Sequence, residues 1–506
     1  MSNSKWSTQQ ETIFEYFERA GTSENFFTTH LIIRARAGTG KTTVIIEGVK
    51  RAPEKSILIC AFSKIIQQEL ELRIGKDHPN VKAQTLHSVG YACIHRFRDN
   101  IKISFTNERA DALTEKVCGV TVPDAIKKLV SKLHTKGREI APHARVLGDL
   151  TEIAIMFECE PDDSWASSFD TAFVEQKALD AMELASQIRS NETIDGSDMI
   201  FLPVRNHWLT GQYEMVVVDE AQDMTTAQLE IARGVLKPGG RICVVGDDRQ
   251  AIFGFRGADS ESLDRLKTEL GARELGLTTT YRCGKLIVTA AQELVPDYEA
   301  ADTNPDGEIR YIPTARLVAE AGPGDFILSR VNAPLVSTAM QLLRAGKRTR
   351  IAGRDIGKGL ITLIRKLKGR TVPDLLNKIE AWGARESQRI QKQMTGATEA
   401  RKVTLLTKME AITDQVEMLT SLADGARNVA EVESRIEALF ADDGLGVAGT
   451  ITCSSVHRAK GLEANRVFVL KDTLRSHSIE EQNITYVAIT RAKQSLVWVS
   501  DKELID

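Results

Sequence analysis

Apolar residues fall along this chain in two kinds of pattern. In the first, short continuous apolar runs alternate with amphipathic stretches, the signature of parallel strands buried on both faces and linked by helices. Leu31–Ala35 leads into a Gly-rich turn and a helix beginning at Lys41. Ser56–Phe62 is the next run and is followed by an amphipathic helix to Ile74, and Glu214–Val218 and Arg241–Val245 continue the series. A second series is predicted to begin near Leu275, with Ile309–Ile312, Phe326–Ser329, Thr450–Ser454, Arg466–Leu470 and Ser495–Val499 as strands. In the second kind of pattern the apolar positions keep helical spacing without β-branched runs. It covers residues 91–193 and 354–445, the latter including the Gln-, Lys-, Glu- and Leu-rich stretch Arg385–Thr420.

These patterns predict an α/β protein of two parallel-sheet domains, each interrupted by a mainly helical insertion. The expected boundaries are 1–90 with 194–274 for the first core and 91–193 for its insertion. The second core is expected at 275–353 with 446–506, and its small insertion at 354–445. A length of 506 residues agrees, because one hydrophobic core rarely serves a chain of that size.

Composition narrows the picture only slightly. Hydrophobic residues make up 42% and charged residues 27%, ordinary for a globular protein. No apolar run reaches the roughly 18 residues a membrane span needs, and Met1–Gln10 lacks the apolar stretch of a secretory signal. The 7 cysteines are scattered without a C-x-x-C pair, which points away from zinc, iron–sulfur and disulfide frameworks and towards a cytoplasmic location. Net charge is −3, so any nucleic-acid surface must be local. One segment is lopsided: residues 344–408 hold 17 Lys/Arg against 5 Asp/Glu, and residues 409–445 hold 2 against 9. Either the two halves form a solvated helical pair that attracts itself, or the basic half faces nucleic acid.

The most specific chemistry lies in Ala35-Arg-Ala-Gly-Thr-Gly40-Lys41-Thr42, a P-loop with Ala in its first position. Gly38 and Gly40 let backbone N–H groups turn inward around a triphosphate at the positive end of the following helix. Lys41 is expected to reach the β- and γ-phosphates, the Thr42 hydroxyl to ligate Mg²⁺, and Thr43 to line the same turn. Val216-Val-Val-Asp219-Glu220 supplies the complement. Its apolar residues predict a buried strand whose carboxyl end presents Asp219 to Mg²⁺ and Glu220 to the attacking water. The two segments together predict a nucleoside triphosphatase using ATP and Mg²⁺.

Further blocks resemble the UvrD/Rep-type superfamily 1 helicases. Asp219-Glu-Ala-Gln-Asp223 with Gln228 is similar to that family's second motif, and Gly246-Asp-Asp-Arg-Gln250-Ala-Ile-Phe-Gly-Phe255-Arg256-Gly-Ala to its third. Leu277-Thr-Thr-Thr-Tyr281-Arg282, Ser455-Val-His457-Arg-Ala-Lys460-Gly461-Leu-Glu463 and Tyr486-Val-Ala-Ile-Thr490-Arg491-Ala resemble the fourth, fifth and sixth. Trp6-Ser-Thr-Gln-Gln10 looks like the adenine-reading Q motif, and Asp195-Gly-Ser-Asp198-Met is a weaker echo of a DFDDL segment. Ala61-Phe62-Ser63-Lys64 and Thr85-Leu-His87 look like DNA-contacting motifs.

The resemblance implies two RecA-like domains forming a P-loop NTPase tandem, with ATP hydrolysed in the cleft between the cores. It makes Arg282 and Arg491 arginine fingers and Gln250 a γ-phosphate sensor. Tyr281 would stack on adenine, Gln10 would bind its edge and Glu463 would hold the ribose. Phe62, Ser63, Thr85, His87, Phe255, Arg256, Ser455 and His457 would contact single-stranded DNA, with Phe255 stacking on a base. Phe62, at the end of an apolar run, has a core position as its competing reading. His457 reads as a hydrogen-bonding residue coupling the two sites rather than a metal ligand.

The implied activity is ATP-dependent 3′-to-5′ translocation and unwinding in replication, repair or recombination, by a monomer acting on single strands and single/double-strand junctions. Departures from the family pattern temper it. Only 15 residues follow Arg491, where many members continue into a duplex-splitting β-hairpin, and the 354–445 insertion is smaller than the usual regulatory domain. Asn483 stands where Arg is frequent and Phe253 where Tyr is usual, and the loop from Leu470 to Glu480 is short. The alternative is a nucleotide-gated DNA-binding subunit of a larger complex, with a protein partner on the 354–445 insertion and little unwinding of its own. An RNA helicase of the same superfamily fits the Gly254-Phe255-Arg256 and Thr490-Arg491-Ala segments less well.

Overall fold

The computed structural model describes residues 6–18, 30–161, 168–252, 262–397, 399–440 and 449–502. The chain forms two compact units, Met1–Arg36 with Gly40–Thr278 and Ala37–Thr39 with Thr279–Asp506. The first unit contains strands β1 (Leu31–Ala35), β2 (Ile57–Ala61), β3 (Val81–Thr85), β4 (Lys102–Ile103), β5 (Thr193–Ile194), β6 (Tyr213–Val218), β7 (Leu236–Gly246) and β8 (Arg273–Leu277). Six of them form one sheet in the order β3-β2-β6-β7-β1-β8, with every neighbouring pair parallel.

Strand periodicity explains why these runs are mostly apolar. Ile32, Leu58, Val216, Val218 and Val244 pack on one face. Ile33, Ile59, Val217, Cys243 and Val245 pack on the other with Phe14 and Phe17 of the helix Thr8–Glu18. Both faces are covered, so the strand centres are apolar, and charged positions such as Arg34 in β1 and Arg241 in β7 are admitted only with partners. The carboxyl ends of β1, β2, β6 and β7 lie on the edge where sheets of this type bind ligands.

The first insertion holds helices Glu108–Cys118, Asp124–Ile140, Thr151–Met156 and Thr171–Ser186, built around a hydrophobic cluster that includes Ile126, Leu133, Val174 and Met182. The two-residue pairing of β4 with β5 closes its base. Helices Leu86–Ile94 and Gly196–Arg205 join insertion and sheet. They pass so closely that a Cβ on Gly90 would lie 1.9 Å from the Met199 carbonyl oxygen, so only glycine fits there.

The second unit contains β9 (Thr279–Thr280), β10 (Glu299–Ala300), β11 (Glu308–Ile312), β12 (Phe326–Ser329), β13 (Thr349–Ile351), β14 (Ile451–Ser455), β15 (Ala464–Leu470) and β16 (Ala492–Val499). Its main sheet has the order β11-β16-β15-β12-β14-β13, again all parallel. The short β9 and β10 pair separately.

Three expectations change. The strand around Leu275 was assigned to the second core with a boundary at 274/275. It is β8, paired residue by residue with β1 from Leu31/Arg273 to Ala35/Leu277, so it belongs to the first sheet. The edge strands β3 and β13 had no strand prediction. The expected 241–245 strand extends back to Leu236, because β7 pairs with β6 through an irregularity between Tyr213 and Met215.

The second insertion, helices Arg354–Leu367, Val372–Met394, Glu399–Ala423 and Val429–Leu439, has no separate core near the sheet. Leu360, Leu375, Leu419, Leu422, Ile436 and Phe440 share one cluster with Ile327, Leu335, Ile351 and Phe468 of the sheet layer. Only its far end has a small cluster of its own, around Ile390, Leu405 and Ile412. Asp414 adds a polar anchor, accepting from Asn332 N (3.0 Å), Asn332 Nδ2 (3.0 Å) and Ala333 N (2.6 Å) at the start of helix Ala333–Arg344. Opposite charges also meet, as Arg344 with Asp424 at 3.0 Å and Arg365 with Glu433 at 2.9 Å. Deleting residues 360–440 should therefore abolish the cooperative melt of the second unit rather than trim an appendage. Leu419→Ala, at a fully buried position, should lower stability by about 2–5 kcal/mol in urea unfolding. A deletion variant with an unchanged melt would refute the shared core.

Candidate nucleotide-binding site

The P-loop residues lie where β1 hands over to the helix Lys41–Arg51. Gly38 and Gly40 both adopt left-handed backbone, with φ of 69° and 85°, which side-chain-bearing residues avoid. Lys41 begins the helix with its side chain only 11% exposed and its Nζ 3.1 Å from Glu220. Burial alone would lower its pKa. The carboxylates of Glu220, Asp247 and Asp219 outweigh that and raise it, so the ammonium stays charged.

Asp219 ends β6, almost fully buried, and accepts from the Glu220 amide at 2.9 Å. Burial first, then the neighbouring Glu220 carboxylate, push its carboxyl up to about 7, with Lys41 pulling the other way. Glu220 itself has φ 53°, a strained value for a non-glycine residue, and so turns its carboxylate back to Lys41. Thr42 is half-buried in the first turn of the helix that Lys41 begins, and the Thr43 hydroxyl accepts from Arg73 at 2.9 Å. A buried carboxyl and a hydroxyl beside a P-loop are hard oxygen donors of the kind Mg²⁺ uses.

Gln222 stitches the acidic pair to the next strand. Its amide nitrogen donates to Glu220 at 2.5 Å and its oxygen accepts from the Asp247 amide at 3.0 Å. A Cβ on Gly246 would lie 2.8 Å from that oxygen, so the glycine makes room for the link. Gln250 then donates to Asp247 at 2.6 Å. Arg36 donates to Asp247 at 3.2 Å and to Asp248 at 2.7 Å, and Arg34 adds Asp248 at 3.1 Å. Burial pushes Asp247 up despite Lys41 and Arg36, whereas for Asp248 the two arginines overcome burial and hold it down. Gln222, Asp247, Arg34 and Arg36 had no assigned role in the sequence reading. A charged residue inside the P-loop and a pair of aspartates ahead of Gln250 were the available signal.

Gln10 is buried in the first turn of its helix, where Ser7 N donates to its side-chain oxygen at 3.0 Å. Its amide nitrogen lies 3.9 Å from where a Gly40 Cβ would stand, beside the P-loop turn. Ala35, the first P-loop position, is fully buried at the end of β1. Ser63 and Thr85 cap the helices after β2 and β3, accepting from Ile66 N (3.3 Å) and Ser88 N (3.2 Å). Phe62 is 38% exposed, which excludes the core reading weighed for it. His87 is partly exposed, and burial lowers its pKa against the pull of Glu139. Phe255 and Arg256 lie outside the described residues.

In the second unit Tyr281 is 47% exposed. Glu463 is held between Arg282 Nε at 2.6 Å and Lys493 Nζ at 2.5 Å, with Lys493 unforeseen. Burial would raise the Glu463 pKa, but these cations bring it down. Arg491 is fully buried. Its guanidinium donates to the carbonyls of Val487 (3.0 Å) and Leu462 (3.0 Å) and to the Thr490 hydroxyl (3.2 Å). No carboxylate among the described residues is within ion-pair distance of it. Burial, with Arg282 nearby, lowers its pKa to about 10. Ser455 is buried at the end of β14, and His457 follows in the next short helix. Burial and the Arg330 charge lower the His457 pKa to about 4, so its ring is neutral near pH 7.

The Asp195/Asp198 echo serves another purpose. Arg138 donates to Asp195 with both terminal nitrogens at 2.9 Å and to Asp198 at 2.6 Å, and Arg109 pairs with Asp198. Asp195 also caps the helix Gly196–Arg205. Gln228 likewise belongs to a capping box with Thr225.

A parallel sheet with a strand–glycine turn–helix on one strand and two acids at the end of another defines a P-loop α/β domain. Residues 18–271 match the UvrD/REP helicase N-terminal domain, and residues 450–499 match the UvrD-like helicase C-terminal domain. The chain therefore belongs to the UvrD/Rep helicase family. Among curated relatives, the ATP-dependent DNA helicases PcrA of Staphylococcus epidermidis and Staphylococcus aureus are each 24% identical over 285 residues, or 52% of this chain. The match spans 38% of the length of those relatives. Among solved structures, an Arterivirus nonstructural protein 10 helicase in complex with DNA is similar at a TM-score of 0.35 and 11% identity, over 94% of this chain and 62% of that one, too loosely to argue from.

Replacing Arg138 by Ala should cost about 3–5 kcal/mol in urea unfolding, because it takes the ion-pair partner from buried Asp195 and leaves Asp198 with Arg109 alone. A loss below about 1 kcal/mol, the range of exposed pairs, would show the cluster to be solvated.

Proposed function

We propose that this chain is an ATP-dependent DNA translocase and helicase that moves 3′ to 5′ along single strands. The observation that carries the reading is the linked group of Lys41, Glu220, Gln222, Asp247 and Gln250, with Asp219 next to Glu220, at the carboxyl edge of the first sheet. Gly38, Gly40 and Lys41 hold the phosphates, with Ala35 and Thr43 shaping the turn and Gln10 set for the base. Thr42 and Asp219 would hold Mg²⁺, which would supply charge neutralisation to the phosphates. Glu220 orients the attacking water and takes its proton. Its present bond to Lys41 is the contact that a γ-phosphate would exchange for its own.

By family resemblance Arg282 and Arg491 are the arginine fingers, and Tyr281 and Glu463 the base and ribose contacts. Arg491 suits this task because, among the described residues, no carboxylate is within ion-pair distance of its guanidinium, although Glu463 lies close enough to feel its charge. Phe62, Ser63, Thr85, His87, Phe255, Arg256, Ser455 and His457 are proposed to track the strand. Membership of a family that includes the PcrA helicases supports DNA as the polymer, and the polarity rests on family resemblance alone.

ATP hydrolysis should rise on adding single-stranded oligonucleotides, and less so as salt increases. Lys41→Ala should reduce it to background, and unwinding should favour 3′-tailed over 5′-tailed duplexes. Stimulation absent at low salt would end the motor reading, and a 5′ preference would end the polarity. The raised Asp219 pKa adds a pH signature. A cation at Asp219 must displace a proton, so Mg²⁺ affinity should climb by up to about tenfold per unit as pH rises towards 7 and level off above it. Calorimetric titration with MgCl₂ at pH 6 and pH 8 measures this, and equal affinities would remove Asp219 as the metal ligand.

A further inference from the structure

Arg34 and Arg36 are two residues apart on the chain leaving β1, so both side chains project to the same side, and both guanidinium groups meet at Asp248. Beyond Asp248 their surroundings differ. Arg34 turns to Asp264 at 2.5 Å and Glu274 at 2.8 Å, tying β1 to its neighbours. Arg36, buried inside the P-loop, uses one nitrogen to reach both Asp247 (3.2 Å) and Asp248 (2.7 Å). Asp247 is fully buried and spends its other oxygen on the Gln250 amide at 2.6 Å. Burial already favours the protonated form of Asp247, and losing Arg36, one of two neighbouring cations with Lys41, would favour it further. A protonated Asp247 would offer a donor where Gln250 needs an acceptor, and the amide would turn away.

Resting on the ATPase reading above, we infer that Arg36 is a positioning residue: it fixes the Asp247 carboxyl group so that Asp247 orients the Gln250 amide towards the phosphate held by the same loop. Arg36 touches no reacting atom in this scheme and acts only through Asp247. The scheme needs a positive charge beside Asp247, so lysine should replace Arg36, whereas the neutral, similarly shaped methionine should not.

The test is a double-mutant cycle with Gln250, read as steady-state ATPase at saturating single-stranded DNA. R36M should lower kcat at least about tenfold with KM for ATP within about threefold, and R36K should return kcat to within about threefold of the unsubstituted protein. In a Q250A background, R36M should cost less than about twofold more, because the residue it acts through is already gone. Independent, multiplicative losses in R36M/Q250A would overturn the proposal. So would an R36K no better than R36M, or a KM that rises in step with the fall in kcat. If R36M does not fold, as judged by thermal melting, the pair R36M/D247N leaves no buried charge uncompensated. Activity equal to D247N alone supports the relay, and a further tenfold loss refutes it. Absence of DNA-stimulated hydrolysis in the unsubstituted protein would strike the ATPase reading, whereas normal hydrolysis with an additive cycle would strike Arg36 alone.

Discussion

The arrangement of the first unit depends on keeping one ammonium charged where little water reaches it. Lys41 starts a helix at the floor of a glycine turn, and burial by itself would favour its neutral form. Glu220, Asp247 and Asp219 prevent that, but each brings a burial penalty of its own, visible in the raised pKa values of Asp219 and Asp247. The penalties are spread through a network. Gln222 joins Glu220 to the Asp247 backbone, Gln250 and Arg36 take the two oxygens of Asp247, and Arg34 carries the pairing on to Glu274 at the sheet edge. The left-handed backbone at Glu220 is a local cost of closing this network. A bound triphosphate would relieve it by supplying anionic oxygens to Lys41 and, through a cation, a reason for Asp219 to ionise.

The sequence exposed the parts of this scheme that obey a local rule. Strands buried on both faces carry mostly apolar runs, so β1, β2, β6 and β12 could be read directly. The chemistry of Lys41, Asp219 and Glu220 could be read because it must follow such strands. Edge strands follow no such rule. Val81-Lys-Ala-Gln-Thr85 is β3, partly open to water, and its composition says nothing about pairing. β8 was misplaced for a related reason: one residue separates it from β9, so no loop signals the change of unit. Contacts between distant segments were out of reach altogether. Arg36 and Asp247 meet only because β1 and β7 are neighbours in the sheet, and nothing near Asp195 in sequence announces Arg138. An acidic pair that resembled a family motif therefore gave no hint that it was the counter-charge of a buried arginine.

The second insertion carries a similar lesson about charge runs. Its lopsided composition invited a surface reading, and its exposed residues do pair across the two halves in places such as Arg365 with Glu433. Its apolar residues tell more, since they complete the core around Ile327 and Phe468. An element whose removal opens a core cannot swing freely on the sheet, because every departure re-exposes that apolar area. Regulation through this insertion would have to act at its far end, around Ile390 and Leu405, where the small separate cluster lies.

The two largest fully buried side chains among the described residues are both arginines, and their surroundings separate structure from function. Arg138 has two aspartates, its pKa is raised, and its charge is already balanced, so it can only hold the insertion in place. Arg491 is bonded instead to carbonyl and hydroxyl oxygens of its own unit, with its pKa lowered to about 10. Dipoles can orient a guanidinium and partly solvate it, but they leave its net charge uncancelled. Folding alone gives no reason to bury an arginine this way when a well-packed apolar side chain would avoid the penalty. On the function proposed above, an anionic ligand would supply that reason, because its interaction with Arg491 would be strongest while the phosphoryl group is being transferred.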